Sequence, residues 1–377
     1  MSEGYNIVEP DVNFVKEIME VGGDTVKKCF QCATCSVVCP ISPDNKPFPR
    51  KEMIAASWGL KDKVVKNMDI WLCHQCGDCT AQCPRGANPG DVLGAIRSLA
   101  ISEYATPKII AKAVNDPKQL PLLFFIPALI MIALGMITGQ LHFSPEGSEV
   151  VHAHFFSTLL VDLIFVPLSI WAVAVFGLGL KRFLDDIHEN AVMEKKTKIT
   201  SIDIKGFIQA LINVIPVILR HDKFNECGEN KERSTPHTMV LFGFIGLAVV
   251  TGIFFVVLYV FHIEGPYRQL NPVKWIANLS GLMLVIGSSM MIINRLNNQE
   301  QVSTYKDWYL LGLVFGLGFT GLLTEMTRLG GLAGISYFLY FVHLVFVFNL
   351  MAFLPFSKLA HLVYRTVAMT YAEYSKR

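Results

Sequence analysis

Eight cysteines in one short stretch carry the first chemistry of this chain. The run Cys29-Phe30-Gln31-Cys32-Ala33-Thr34-Cys35-Ser36-Val37-Val38-Cys39-Pro40 recurs as Cys73-His74-Gln75-Cys76-Gly77-Asp78-Cys79-Thr80-Ala81-Gln82-Cys83-Pro84. Both copies read C-x2-C-x2-C-x3-C-P. Three thiolates from one tight loop occupy three corners of an iron–sulfur cubane, and the fourth, followed by proline, is carried to the other cluster. The spacing predicts two [4Fe–4S] clusters, one on Cys29, Cys32, Cys35 and Cys83, the other on Cys73, Cys76, Cys79 and Cys39. Zinc sites built from CxxC pairs give no reason for a third cysteine at the same short spacing. His74 then falls outside the ligand set, and Cys227, far from the other cysteines, has no assigned role.

Histidines in apolar surroundings supply the second chemistry. His343 and His361 are 18 residues apart in what reads as a single apolar helix. Eighteen steps make five turns, so both imidazoles leave one face, about 27 Å apart, close to the ~30 Å of a bilayer core. Polar groups inside a membrane are costly and usually functional. A low-spin haem b needs two axial imidazoles at similar depth. The pattern predicts two haems b, with His361 paired to His237 at one surface and His343 paired to His154 or His262 at the other. His188 and His221 are expected to face solvent. A quinone headgroup needs a hydrogen-bonding or proton-accepting group near the outer haem. Lys274 and Glu325 are candidates there, with Glu264 and Arg328 behind them, although charges at span ends often serve as interfacial anchors. Asp162, inside the second span, is a candidate proton relay.

The elements that must hold these residues fall into two parts. The chain has 377 residues, 52% hydrophobic content and a net charge of +2, which excludes the strongly basic balance of a nucleic-acid binder. Residues 1–107 read as a cytoplasmic two-cluster ferredoxin-like domain, with helices near 11–19, 50–59 and 91–104. Eight cysteines in a domain without a leader point to a metal site rather than to disulfides. Residues 108–119 read as a linker. Six apolar runs follow, at about 120–139, 154–180, 238–261, 273–293, 308–325 and 333–357, so residues 120–377 form a transmembrane domain. If each run crosses once from an inner N-terminus, the inner loops and tail carry ten, two and four Lys or Arg, against none, one and one outside. That asymmetry places both termini in the cytoplasm of an inner-membrane, multi-pass protein. In the inner loop 181–237, Ile204, Phe207, Ile208, Leu211, Ile212 and Ile215 repeat at helical spacing. They predict an amphipathic helix lying in the interface, docking the iron–sulfur domain or merely connecting spans. The expected fold class is all-α.

Two resemblances follow from these residues. The stretch from His343 through Leu354-Pro355-Phe356-Ser357-Lys358-Leu359-Ala360-His361 resembles the last haem-bearing helix of the respiratory nitrate reductase gamma subunit, whose family includes the cytochrome b subunit of membrane heterodisulfide reductase. Thr320-Gly321-Leu322-Leu323-Thr324-Glu325 is similar to the turn before that helix. In the gamma subunit the second haem helix bears two histidines ten apart; His237 matches the first, but Leu247 stands at the second. The N-terminal 105 residues resemble the small iron–sulfur C subunit of soluble heterodisulfide reductase. The two modules fused together resemble the membrane (C) subunits of quinone-interacting membrane-bound oxidoreductase (Qmo) complexes. That resemblance implies two flavin and iron–sulfur partners similar to heterodisulfide reductase A. It also implies an electron link between menaquinone and adenylylsulfate reductase in sulfate respiration. The rival readings are the cytochrome b subunit of a heterodisulfide-reductase-like complex and a redox-sensing membrane anchor. The chain has no adjacent Cys-Cys pair of the kind related disulfide-reducing modules use.

Overall fold

The computed structural model describes residues 9–143, 149–222, 226, 228, 231–297 and 302–376; Cys227 lies outside them. Among the described residues the chain is helical, and its one β-type pairing is an isolated bridge between Leu141 and Phe156.

The cluster domain is short helices wrapped around two cysteine loops. The first helix, Val12–Ile18, starts where the Asp11 carboxylate accepts from the backbone N–H groups of Asn13 and Phe14, which satisfies donors a helix start leaves unpaired. Helices Arg50–Ser57 and Pro89–Tyr104 match the sequence expectation within a few residues. Phe14, Ile18, Met53, Trp71, Leu93 and Ile96 fill the core between them. Within the two cysteine loops the backbone turns left-handed at equivalent places, Gln31 and Ala33 in the first, Gln75 and Gly77 in the second. Such turns curl successive N–H groups toward one point, as an anionic group requires.

Among the described residues six helices are long and apolar enough to cross a bilayer, and the protein is a multi-pass membrane protein on that ground. They are Leu120–Ile137, Thr158–Met193, Ser234–Tyr259, Pro272–Asn297, Tyr305–Leu329 and Ala333–Phe353. The third and fourth approach closely: a Cβ on Gly243 would stand 3.0 Å from the Ser280 carbonyl oxygen, the small-residue contact that lets membrane helices pack without a hydrophobic drive.

Four sequence expectations change. The sixth helix does not continue to His361. It ends at Phe353, passes through short 3-10 turns at Leu354–Phe356 and Lys358–Ala360, and restarts as His361–Tyr374. Pro355 cannot supply the amide that a continuous helix needs, and the Ser357 side chain caps the new turn by accepting from the Leu359 amide. The one-face argument for His343 and His361 therefore fails. Second, Thr320–Glu325 lies inside the fifth helix and is not a turn before the sixth. Third, the expected linker is largely helix Lys108–Asn115, with Ala111 and Val114 buried. Fourth, the second spanning helix runs to Met193, about three and a half turns beyond its apolar stretch.

That extension ties the two parts together. Phe183 and Ile187 on it join the core of the cluster domain. Trp71 stacks on Tyr364 at 5.4 Å, and Phe183 meets Trp71 edge-on at 5.7 Å and Tyr104 at 5.3 Å. Gly179 is what lets the rings close: a Cβ there would lie 2.6 Å from the Tyr364 hydroxyl. Beside this seam, buried Lys196 pairs with buried Asp69 at 3.4 Å. Helix Ile204–Arg220 packs Phe207 against Tyr374 and turns Ile204, Ile208, Ile212 and Ile215 outward. A row of exposed isoleucines beside a bundle suits a helix resting on the bilayer surface.

Candidate functional site

The cysteines gather in two quartets. Around Cys35 the nearby thiols are Cys29, Cys32 and Cys83. Around Cys79 they are Cys73, Cys76 and Cys39, with Cys35 next. Each quartet thus joins three cysteines of one loop to the last cysteine of the other, the exchange that the C-x2-C-x2-C-x3-C-P spacing predicts. Burial pushes the Cys35 thiol up to about 11 and Cys39 to about 12, and neighbouring thiols add to both. Groups held neutral in this way ionise when metal takes the place of their protons. Among the described residues, no three His, Cys, Asp or Glu side chains converge as ligands of a single ion do. A cubane instead spreads its four thiolates over separate irons. Backbone N–H groups of Gln75 and Ala87 reach the Cys73 and Cys83 sulfurs at 3.3 Å each, the contact that tunes cluster potential. Arg97 braces the second loop by donating to the Cys73 carbonyl at 2.6 Å and to Gln75 Oε1 at 2.9 Å.

A histidine cluster lies where the cluster domain meets the bundle. His237, near the start of the third spanning helix, faces His361 with ring centroids 6.4 Å apart. One iron bonded to both at the roughly 2 Å typical of metal–imidazole bonds would set the centroids about 6 Å apart, so the spacing fits a shared metal. The outer nitrogens are already engaged. His361 Nδ1 donates to the Lys358 carbonyl at 2.7 Å, and His237 Nδ1 meets His221 Nε2 at 2.8 Å. Occupied Nδ1 atoms direct coordination to Nε2 and fix the ring orientation, as partners of metal-bound histidines do. Burial pushes the His361 imidazole down to about 3, with His237 adding to the effect. His361 is therefore neutral at pH 7, the form that binds metal. The sequence expectation puts His221 in solvent; the chain instead buries it, in a left-handed position at the end of Ile204–Arg220. Its role is legible only once that helix is folded back against His361–Tyr374.

A cavity of about 620 Å³ opens from this cluster. His74 and Cys76 of the second cysteine loop, His237 and His361, and the apolar side chains of Ala248 and Val314 all line it, with Val314 buried and Ala248 exposed on the outer face of the third spanning helix. From His237 to Ala248 is eleven residues of helix, about 16 Å. Arg295 and Lys358 line its mouth and both pair with Asp307.

The opposite end of the bundle holds the other predicted residues. His343 Nδ1 meets Thr320 Oγ1 at 3.1 Å, and a Cβ on Gly321 would touch its ring at 3.0 Å. His154 and His262 are both exposed. The histidine brought toward His343 is His152, which stacks on Tyr340 at 4.7 Å and meets Ser336 Oγ at 2.9 Å through Nε2. The residues around His343 therefore do not make a second facing pair like His237 and His361. Lys274 and Glu325 do come together, at 2.8 Å, and Arg328 closes on the same carboxylate at 2.8 Å. Glu264 is exposed. Asp162 accepts from the Tyr259 hydroxyl.

Comparison with known proteins agrees with the cysteine geometry. Residues 25–87 match the family described as 4Fe-4S dicluster domain. The chain is 36% identical over 91 residues to the C subunit of the H(2):CoB-CoM heterodisulfide,ferredoxin reductase of Methanothermobacter marburgensis, covering 24% of this chain and 49% of that protein. It is 35% identical over 89 residues to an Archaeoglobus profundus protein that is itself similar to the heterodisulfide reductase C subunit, 23% of this chain and 47% of that one. With the C subunit of the ferredoxin:CoB-CoM heterodisulfide reductase of Methanosarcina acetivorans it shares 29% over 76 residues, 20% and 30% of the two chains. The chain spans about half the length, or less, of these curated relatives. Its N-terminal part is an iron–sulfur domain similar to the heterodisulfide reductase C subunit, and it sets two cubane sites on a helical membrane bundle.

Proposed function

We propose that the chain is the membrane-anchoring electron-transfer subunit of a redox complex, moving electrons between menaquinol and two [4Fe–4S] clusters by way of haem b. The observation that carries this reading is the His237–His361 pair, 6.4 Å apart, beside a cavity whose wall includes Cys76. Bound at these sites, haem and clusters supply one-electron relays. The chain's own residues do the rest. His237 and His361 would hold the haem through Nε2, while His221 and the Lys358 carbonyl hold their rings in place through Nδ1. The apolar side of the cavity, with exposed Ala248 on the third spanning helix and buried Val314 beside it, would admit a quinol from the membrane. No step is assigned to a second haem at His343, because His152, the imidazole brought toward it, is stacked on Tyr340 and bonded to Ser336.

A second reading puts the quinol at the far end, where Lys274, Glu325 and Arg328 form one charged group with His152 nearby. Outward relay would go to flavin and iron–sulfur partners similar to heterodisulfide reductase A, and from them to adenylylsulfate reductase. The chain's resemblance to Qmo membrane subunits supports this assignment. The basic domain-side loops support a cytoplasmic-membrane location with both termini inside.

The test is reduction of the purified chain by a menaquinol analogue, followed at the haem absorption band. Ala248→Trp should block it if the quinol enters the cavity, and Glu325→Gln should block it if the far site is used. Absence of haem from the purified chain, or menaquinol reduction unaffected by either substitution, would remove the quinol pathway.

A further inference from the structure

The two cysteine quartets face different ways. Cys76 lines the cavity at the bundle, so the second quartet is the one on the membrane side. Cys79 of that quartet has Cys35 of the first among its neighbours, so the first quartet is next in line. Within it Cys35 is buried, whereas Cys32 is exposed. Cys32 is thus the exposed sulfur of the quartet farther from the bundle.

The surface around Cys32 has a definite character. Phe30, two residues before Cys32, is 68% exposed, and Val37, five residues after it, is 82% exposed. Arg85 lies over the Phe30 ring at 3.9 Å. Arg50 reaches the same loop by donating to the Gln31 carbonyl at 3.0 Å. Lys27 and Lys28 are exposed immediately before Cys29. Exposed acids in the neighbouring sequence are Asp24 and Asp44. With the Lys27 ammonium turned to the Ser57 carbonyl at 2.6 Å, Arg50, Arg85 and Lys28 are the cations beside the apolar centre. A rim of one sign steers an oppositely charged partner and sets its orientation, while the apolar centre excludes water at contact.

We propose that this face docks a soluble one-electron carrier whose redox edge is ringed by Asp and Glu, and that Lys28 and Arg85 select it by charge. This deepens the function proposed above by naming the exit surface and the chemistry of what binds there, and it rests on that reading only for the clusters. The transfer needs no bond change: one electron leaves the reduced cluster held by Cys29, Cys32, Cys35 and Cys83, and the carrier gains it.

The test uses the full chain in detergent, reduced with dithionite and then mixed with either of two high-potential one-electron acceptors. One is an acidic plastocyanin, the other a basic cytochrome c. The double variant K28E/R85E is compared with the parent and with Lys112→Glu, an exposed lysine outside the patch. Arg50 is left in place because it braces the cysteine loop. At low salt the double variant should reduce plastocyanin at least tenfold more slowly and cytochrome c faster, and both differences should shrink as salt rises. Lys112→Glu should match the parent. Equal changes with both acceptors, or no change with either, would overturn the proposal; cluster signals in electron paramagnetic resonance establish that the variant holds its cofactors. Dithionite bypasses quinol and haem, so failure of the quinol pathway leaves this result readable.

Discussion

Replacing His221 with Leu tests whether the histidine cluster is a cofactor site. The His221 Nε2 to His237 Nδ1 hydrogen bond, 2.8 Å long, is what orients the His237 ring toward His361. Leucine removes the bond with little change in volume. Loss of a hydrogen-bonding partner to a metal-bound histidine typically costs 10- to 100-fold in affinity, about 1.4 to 2.7 kcal/mol. Removing the acceptor also makes His237 a less basic ligand, which favours the reduced iron and moves the midpoint potential upward. The assay is haem per chain by pyridine haemochrome, with a reductive titration followed at the haem band. His221→Gln, whose side-chain oxygen accepts from the same N–H, should recover most of both. His188→Leu should change neither, because His188 bonds the Tyr371 hydroxyl at 2.8 Å, away from the cluster. If His221→Leu retains full haem at an unchanged potential, the reasoning from ring orientation is wrong.

Three other outcomes follow from the packing. Gly179→Val drives a methyl group into the Tyr364 hydroxyl; overpacking of this kind costs about 1–3 kcal/mol, and the melting temperature should fall while the cysteine quartets still assemble. Lys196→Met leaves buried Asp69 with only the partly exposed Lys51 at 3.7 Å as a cation, a loss of up to about 3–5 kcal/mol that should appear as faster hydrogen exchange at the seam; the paired change D69N/K196M should recover much of it. Chelation and oxidative removal of iron should release the segments around Cys29–Cys39 and Cys73–Cys83 to proteolysis before the spanning helices, since without the clusters only the bonds from Arg50 and Arg97 offset the cost of the left-handed turns at Ala33 and Gln75. Uniform protection of both loops in the iron-free chain would contradict that order.

The cysteine sites are the most legible part of the chain, because their chemistry is local: a tight loop makes three ligands neighbours at fixed spacing, and the proline after the fourth sends it elsewhere. The six spans are legible for a similar reason, as hydropathy reports on solvent directly. The ends of elements are not. Lys181, Arg182, Asp185 and Asp186 end the apolar run of the second span but not its helix, because the cluster domain supplies a core for Phe183 and Ile187. His361 reaches its expected partner by a different geometry. An eighteen-residue spacing matches a continuous helix, yet Pro355 and the Ser357 cap interrupt it, and His361 meets His237 as the first residue of a new helix. His221 is out of reach of sequence reasoning because it is joined to His237 by tertiary folding alone.

The aromatic seam of Trp71, Tyr104, Phe183 and Tyr364 bears on how exchangeable the cluster domain is. A module hung on a flexible tether works at an effective concentration set by its linker, and a homologous module can replace it. Here no slack remains: the helix that starts at His361 carries Tyr364 one turn later, so the same short stretch positions a ligand and closes the seam. A chimaera that placed a free-standing relative's domain on this bundle would import eight cysteines without the matching Trp71 face. It would lose the register of His361 along with the fit. The fusion of the two modules is therefore a contact to be inherited whole, and variation in one half has to be answered by variation in the other.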